Sequence, residues 1–415
     1  MAPCLPTELL KMIVDEVPTE ELGNIRAASQ TFCALATPRL FRTLRVTSTL
    51  ESADSLANVV RSPEVAPYVK EVVFCNRGAA ADGRVVPVEG DPRPGDIDSA
   101  IIDALGDAFS LIHELPSLRS LTLTFWHPDW PHQPAATAAT ADDDEGGIDG
   151  YMFLPKEILT AITDSSEMLS QKLRALTINN LMAYNDPSQY TTQFGRLFAN
   201  LESVRLTVVS SNDPSFIDDM EEAIWDNFWS DFISGTVLRS LEDLPSGSLT
   251  SLTLHNPHHL YEPPVFVPWS DVTLPLLSSL SLLGFDFEGI PYLEDFIVRH
   301  AGTLVRLELL HCVMETDREP HMDEAMLAQL IEDSEHRSWV SVWDTLALEM
   351  TVLMELVVED APFDGPYEPG PDAPLVVRYR EAQIPHHPLS FDDEDEDVRA
   401  LDRFRAVVKS RGGVA

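Results

Sequence analysis

Three histidines lie close together in the chain, and histidine nitrogen is a common ligand for protein-bound metal ions. They are His255, His258 and His259, and they flank an Asn-Pro pair. No cysteine or acidic residue stands at a recognised metal-site spacing from them. A second pair, His386-His387, lies beside prolines and is typical of a loop. The sequence therefore predicts no metal site.

Other patterns that carry chemistry are missing from the sequence. No Gly-rich phosphate loop and no Gly-x-Ser-x-Gly elbow occurs. Asp and Glu are so abundant, at 68 residues, that pairs arise by chance and no acid–base dyad can be assigned. We therefore predict no catalytic residues, no cofactor and no enzymatic activity. The alternative is a hydrolase whose active site is assembled from distant residues, which would need a deep pocket.

The N-terminal segment, residues 1–45, predicts a small helical module. Apolar residues recur at helical spacings in a first helix, which Pro6 suits as an opening residue and Pro18 ends. A second run begins after Thr19 and is ended by Pro38. So short a block is near the lower limit for a self-sufficient core, so we expect one apolar face to cover a partner. The first helix carries Leu9, Leu10, Ile13, Val14 and Val17, and the second run carries Leu22, Ile25, Ser29, Phe32 and Leu35.

This N-terminal block resembles an F-box of the fungal type. The resemblance is carried by the Leu5-Pro6 pair, an acidic Glu8 two positions on, and apolar residues on two helices and a closing third segment. It implies a three-helix docking domain over residues 1–45 that binds a Skp-type adaptor. An ordinary helical cap on the following repeats is the alternative. The resemblance assigns adaptor binding to Leu5, Pro6, Leu9, Ile13, Leu22, Ile25 and Phe32, which either pack into the adaptor or hold the helices together.

A Leu-x-x-Leu-x-Leu phrase recurs through the rest of the chain. Its last two apolar residues lie two apart, so they point to the same side of a β-strand. Spacings of 27 or 28 residues between copies match the period of leucine-rich repeats, whereas spacings of 48 to 55 leave room for a degenerate repeat or an insertion. The six clear copies begin at Leu118, Leu173, Leu201, Leu249, Leu277 and Leu304, and two weaker copies begin at Val69 and Leu353.

The repeat resembles the irregular leucine-rich repeats that follow an F-box in fungal proteins. It implies an α/β fold, in which the three-helix F-box is followed over residues 46–360 by a leucine-rich-repeat solenoid. We expect a horseshoe of parallel strands with helices, roughly nine to twelve units long. The residues between the leucines would face its concave side, and most of them are Ser or Thr. Three are charged, Arg205, Arg306 and Glu308, and we interpret them as candidate substrate contacts; an ordinary exposed sheet face is the alternative.

Three insertions are predicted within the repeats, near residues 76–96, 127–150 and 210–245. The first two are rich in Pro and acidic residues and read as loops. The third carries large apolar residues at helical spacing, which predicts either a buried helix or an anchor for a partner, because Trp is common at interface hot spots. Its aromatic residues are Phe216, Trp225, Phe228, Trp229 and Phe232.

The C-terminal segment, residues 361–415, reads as a Pro-rich linker and an acidic tail. Six acidic residues run from Asp392 to Asp397 and predict a solvated, disordered stretch. The mixed stretch Val398–Lys409 predicts a short helix, which is able to cap the open end of the repeats.

The composition excludes several partners and compartments. A net charge of −40 and a pI near 4.4 oppose binding to phosphate backbones and anionic bilayers, so we expect neither nucleic acid nor membrane as a partner. No apolar run is long enough to span a bilayer, and no signal peptide is visible. The four cysteines lack short paired spacings, which favours the reducing cytoplasm or nucleus.

Together these patterns predict a substrate adaptor of a Skp–cullin–F-box ubiquitin ligase complex. The F-box would dock the Skp-type adaptor, and through it the cullin ligase. The repeats would bind a protein substrate for ubiquitin-dependent degradation. The alternative is a leucine-rich-repeat scaffold that binds proteins without a ligase role.

Overall fold

A computed structural model describes the chain in segments, and these fall into two compact units. The first unit consists of residues 1–181 and 187–201, and the second of residues 182–186 and 202–415. Most of the insertions predicted near 76–96 and 127–150, and the linker 361–374, lie outside the described residues. These are 5–76, 97–125, 149–183, 192–209, 228–242, 247–256, 267, 269, 272–285, 287, 293–312, 314–315, 338–359, 379–380 and 394–412.

The first unit opens with three short helices around a small core. The second predicted helix is divided at Ser29, whose hydroxyl oxygen accepts a hydrogen bond from the Phe32 N–H at 3.2 Å and so begins the third helix. The prediction that Pro38 ends this run was wrong, because Pro38 lies near the end of the third helix, where its missing N–H removes only one helical hydrogen bond. The helices are α1 Thr7–Glu16, α2 Leu22–Ala28 and α3 Gln30–Leu40, with a 3₁₀ turn at Thr19–Glu21.

Four parallel strands follow in the first unit, and each pairs with the next in chain order. They are β1 Thr43–Thr47, β2 Glu71–Cys75, β3 Ser120–Thr124 and β4 Ala175–Met182. Helices separate the strands along the chain, and their apolar sides are buried. They are α4 Leu50–Val60, α5 Ser99–Ser110, α6 Asp149–Asp164, α7 Ser166–Ser170 and α8 Thr192–Arg196, with 3₁₀ turns at Ala66–Tyr68 and Ile112–Glu114.

The second unit continues the same alternation of parallel strands and helices. Its strands are β5 Ser203–Val209, β6 Ser251–His255, β7 Ser279–Leu283, β8 Arg306–Leu310 and β10 Glu355–Glu359, each paired with the next. A separate pair joins β9 Met314–Glu315 to β11 Tyr379–Arg380. Its helices are a π-helix at Phe228–Leu238, α9 Arg239–Glu242, α10 Leu293–Arg299, α11 Trp339–Glu349 and α12 Glu394–Gly412.

All eight copies of the leucine phrase form strands, and equivalent residues stand side by side across them. Leu121 pairs with Leu176 in the first unit, and Leu252 pairs with Leu280 in the second, and all four are buried. Consecutive phrases pair directly across the long spacings, as β2 does with β3 and β8 with β10. The long spacings among these strands therefore hold insertions rather than additional strands of the sheet.

The described part of the third insertion is buried, and its helix is of the π type. Trp229 is almost fully inaccessible, and its ring centroid lies 5.4 Å from that of Phe285 in an edge-to-face contact. Phe228 and Phe232 are buried beside it, with ring centroids 4.8 Å apart. Of the two alternatives for this insertion, the structure shows the buried helix at Phe228, Trp229 and Phe232, and not an exposed anchor; Phe216 and Trp225 lie outside the described residues.

The acidic tail contributes a helix to the second unit. Helix α12 begins at Glu394, within the acidic run, and extends past the predicted stretch 398–409. Asp397 is only 1% exposed, and its carboxylate accepts a hydrogen bond from the Val340 N–H at 3.0 Å. At the other end, Arg411 donates to the Met350 carbonyl at 2.5 Å. Helix α12 therefore runs parallel to α11, and the predicted solvated run was wrong at Asp397.

Candidate protein-binding surfaces

Helix α1 has two apolar faces, where the sequence suggested a single stripe. Val14 is buried, and the partly buried Val17 packs against the core that Val14 forms with Leu22 and Ala36. The opposite side carries three apolar side chains exposed to solvent, spaced at i, i+3 and i+4, and a fourth exposed apolar residue lies just before the helix begins. These define the outer α1 face: Leu5, Leu9, Met12 and Ile13, which are 53, 45, 64 and 46% exposed.

Polar contacts between helices hold α1 on this small core. Arg39 of α3 donates to the Val14 carbonyl at 2.5 Å, in the last turn of α1, where the Val17 N–H donates to the same carbonyl at 3.2 Å. A cation near a helix C-terminus also complements the helix dipole. Arg26 of α2 donates to the Thr37 hydroxyl at 3.1 Å, and its guanidinium carbon lies 5.3 Å from the Phe41 ring centroid. The outer α1 face is thus presented on a fixed scaffold.

The structure divides the residues predicted to bind an adaptor into two groups. Leu5, Pro6, Leu9 and Ile13 are exposed and available to a partner. Leu22 is fully buried, and Ile25 and Phe32 are partly buried against the core, so these three hold the helices together. Met12 was not among the predicted adaptor-binding residues, although its position three residues after Leu9 places it on the same helix face.

The three charged residues predicted as substrate contacts share one face of the second unit's strands. Arg205, Thr253, Ser281 and Glu308 occupy equivalent positions on β5, β6, β7 and β8, so they form one row across the strands. Arg306 lies two residues before Glu308 on β8, on the same side of the strand. Arg205 and Glu308 stand three strand spacings apart, about 14 Å at ~4.8 Å per strand.

Arg306 is held between two carboxylates. It forms an ion pair with Glu308 on its own strand and a second one with Glu355 of β10, at 2.6 Å. Burial opposes ionisation of Glu308, but hydrogen bonds from Arg306 and Ser281 outweigh it and lower the pKa of this carboxyl group. The charges of Arg306 and Glu308 are therefore already paired with each other. Glu355 also pairs with Arg306 but keeps half of its side chain exposed.

His255, which was considered from the sequence only as a metal ligand, joins this network. His255 Nε2 lies 2.9 Å from the Ser281 hydroxyl, which also bonds to Glu308. Burial, and then the positive charge of Arg205, lower the pKa of His255 from 6.5 to about 4, against the opposing charge of Glu308. His255 is therefore neutral at physiological pH. The sequence does indicate that His255 lies on this strand face, because it follows directly after Leu254, the last leucine of its phrase.

The order of these contacts differs from that of a hydrolytic triad. In a triad the carboxylate orients the histidine through the ring nitrogen that does not contact the nucleophile. Here Glu308 bonds instead to Ser281, and that serine is buried at 5% exposure. The arrangement fixes a charged surface rather than an activated nucleophile. Within the described segments, no group of three or more His, Cys, Asp or Glu side chains is placed to hold a metal ion.

No protein-family model matches the chain, and no curated protein matches it either. No helix in the described segments is long and apolar enough to cross a membrane. The two surfaces are therefore the observations from which a function can be inferred. They are the outer α1 face in the first unit and the charged strand face in the second.

Proposed function

We propose that this chain is the substrate-recognition subunit of a Skp–cullin–F-box ubiquitin ligase. Helices α1 to α3 are an F-box that docks a Skp-type adaptor, and the strand repeats bind a substrate protein. The observation that carries the proposal is the outer α1 face. Leu9, Met12 and Ile13 stand at i, i+3 and i+4, which is the spacing by which an amphipathic helix enters a partner's hydrophobic groove, and Leu5 extends this apolar surface just before the helix. The same small module meanwhile has a separate, filled core.

The repeats support the second half of the proposal. Parallel strands that pair in chain order, with buried leucines at equivalent positions, are the arrangement expected of leucine-rich repeats. Their polar face offers hydrogen-bonding and charged groups that are already fixed by neighbours, which suits binding of another protein. The mechanism is proximity, because a substrate lysine held on the repeats reaches a high effective concentration near the ubiquitin donor of the assembled ligase.

The test is binding of a purified Skp-type adaptor to the full chain and to a Leu9→Ser, Ile13→Ser double variant. Both side chains are about half exposed, so burying the exposed part of each contributes about 1 kcal/mol. Losing about 2 kcal/mol in total weakens adaptor binding by roughly 30-fold. The matched control is Leu50→Ser on α4, which is 47% exposed in the same unit but lies off the docking helix and leaves binding unchanged.

Unfolding curves for each variant establish that the module remains folded. An intact chain that fails to bind the adaptor would refute the ligase role and leave a leucine-rich scaffold as the better description. Equal losses in the Leu50 variant and the double variant would show that the outer α1 face is not the docking surface.

A further inference from the structure

We infer that the charged strand face of the second unit binds an extended substrate peptide that carries an acidic side chain at one end and a basic side chain four to six residues away. The acidic side chain pairs with Arg205, and the basic side chain pairs with the carboxylates around Arg306. This inference deepens the proposed function and rests on it for its biological setting.

Arg205 forms the basic end of the charged strand face, which is a strip of side chains that runs from Arg205 on β5 to Glu355 on β10. Its side chain is exposed, and among the residues that the structure describes no carboxylate forms an ion pair with it. Thr253 stands beside it on the next strand and offers a hydroxyl to the same ligand. A planar guanidinium matches one carboxylate through two parallel hydrogen bonds. Phosphate-binding sites instead use clusters of Arg, whereas the described strands β5 and β6 carry a single Arg between them.

The opposite end is acidic. Glu308 and Glu355 flank Arg306, and Glu359 is exposed on the same side of β10 two positions beyond Val357. These three carboxylates stand against the Arg306 guanidinium, and the nearby Arg405 is paired with Asp402 at 3.5 Å, so an excess of negative charge remains there. Glu355 keeps half of its side chain in solvent and so can accept a lysine or arginine from a partner. The strip therefore has opposite charges at its two ends.

The strand spacing sets the length of the ligand. From Arg205 on β5, Glu308 lies three strands away and Glu355 four, about 14 to 19 Å at ~4.8 Å per strand. An extended peptide advances about 3.3 Å per residue, so the two charged side chains are about four to six residues apart. The peptide crosses the strands rather than adding to the edge of β10, because Arg405 of α12 already donates to the Val358 carbonyl there at 3.2 Å.

The experiment is a selection of random ten-residue peptides, displayed on phage, against the purified full chain. The library is depleted first on an Arg205→Glu variant, so that peptides which need the arginine are retained. Selected peptides should carry Asp or Glu with Lys or Arg four to six residues away. A synthetic selected peptide, measured by fluorescence anisotropy, should bind Arg205→Glu at least tenfold more weakly than the unchanged chain.

Arg45→Glu is the matched control, because Arg45 is an exposed arginine at the equivalent position of β1 in the first unit. It should change peptide affinity less than twofold. A peptide whose acidic residue is replaced by Lys should regain binding to Arg205→Glu. Failure to select any peptide, selected peptides without the charge pair, or equal losses in the Arg45 and Arg205 variants would each overturn the inference.

Adaptor binding by the same preparations separates this inference from the proposed function. Arg205→Glu should bind the Skp-type adaptor as tightly as the unchanged chain does, because the variant leaves the outer α1 face intact. Peptides selected as expected on a chain that cannot bind the adaptor would keep the peptide site and refute the ligase role. Adaptor binding without selectable peptides would keep the ligase role and refute the peptide site.

Discussion

Replacing Asp397 by Ala should destabilise the second unit, although the chain carries a net charge of −40. The carboxylate is 1% exposed and accepts the Val340 N–H in the first turn of α11. Val340 is itself partly buried, so water replaces that acceptor only poorly once the carboxylate is removed. The residue next to it, Glu396, is exposed and provides a control with the same change of charge.

The magnitude follows from three effects that overlap. Loss of a helix-capping acceptor costs about 1 kcal/mol, a buried N–H without a partner costs about 1–3 kcal/mol, and loss of a negative charge at a helix N-terminus costs about 0.3–1 kcal/mol. We expect a net loss of about 2 kcal/mol for Asp397→Ala. In a unit of this size that lowers the midpoint of thermal unfolding by about 4–8 °C.

The assay is thermal and urea unfolding of the full chain and of the two variants, followed by circular dichroism and tryptophan fluorescence. Trp339 and Trp343 lie in α11, stacked with ring centroids 4.8 Å apart, so fluorescence reports on the affected helix. If general repulsion between carboxylates controlled stability, both substitutions would raise it. A rise or no change for Asp397→Ala would therefore refute the capping role, whereas Glu396→Ala should be neutral or slightly stabilising.

Two further predictions concern the core and the charged face. Leu22→Ala should cost about 2–5 kcal/mol of stability, because Leu22 is fully buried, whereas Leu9→Ala should change stability by less than about 0.5 kcal/mol. Urea unfolding of the two variants measures the difference, and equal effects would contradict the assignment of Leu22 to the core and Leu9 to the outer face. The pKa of His255 falls from 6.5 to about 4 on folding, so the unfolded chain binds more protons between those values and stability declines as pH falls through that window, by up to about 3 kcal/mol. His255→Gln should remove that part of the decline. Stability is measured from unfolding curves at several pH values between 4 and 7, and a variant whose stability falls with pH as steeply as that of the unchanged chain would refute the assignment.

Patterns repeated along the chain allowed much of the fold to be predicted from the sequence. Each leucine phrase became a strand because its apolar residues, two apart, need one buried side. Strand β1 was missed, although Phe41-x-x-Leu44-x-Val46 is the same phrase with Phe in place of the first leucine. The segment had been assigned to the end of the helical module. The direct pairing of strands across long spacings also could not be predicted from the sequence, because insertions and degenerate repeats have similar lengths.

The candidate surfaces were predicted less completely, because exposure and pairing depend on distant residues. Leu9 and Val14 belong to one apolar run, but only tertiary packing decides that one is exposed and the other buried. The burial of Asp397 depends on Val340, 57 residues earlier, and an acidic run gives no sign of it. Glu355 was not predicted as part of the charged face for the same reason, because its ion pair is with Arg306 on the neighbouring strand.

Direct pairing of each strand with the next has a consequence for how such a chain can change over generations. The connection from β8 to β10 is about twice as long as that from β6 to β7, yet both leave the strand register intact. Doubling a loop costs only about 0.6 kcal/mol of closure entropy, so connections can gain or lose dozens of residues with little penalty. Lineages of this chain can therefore diverge widely in length and loop sequence while the order of strands persists.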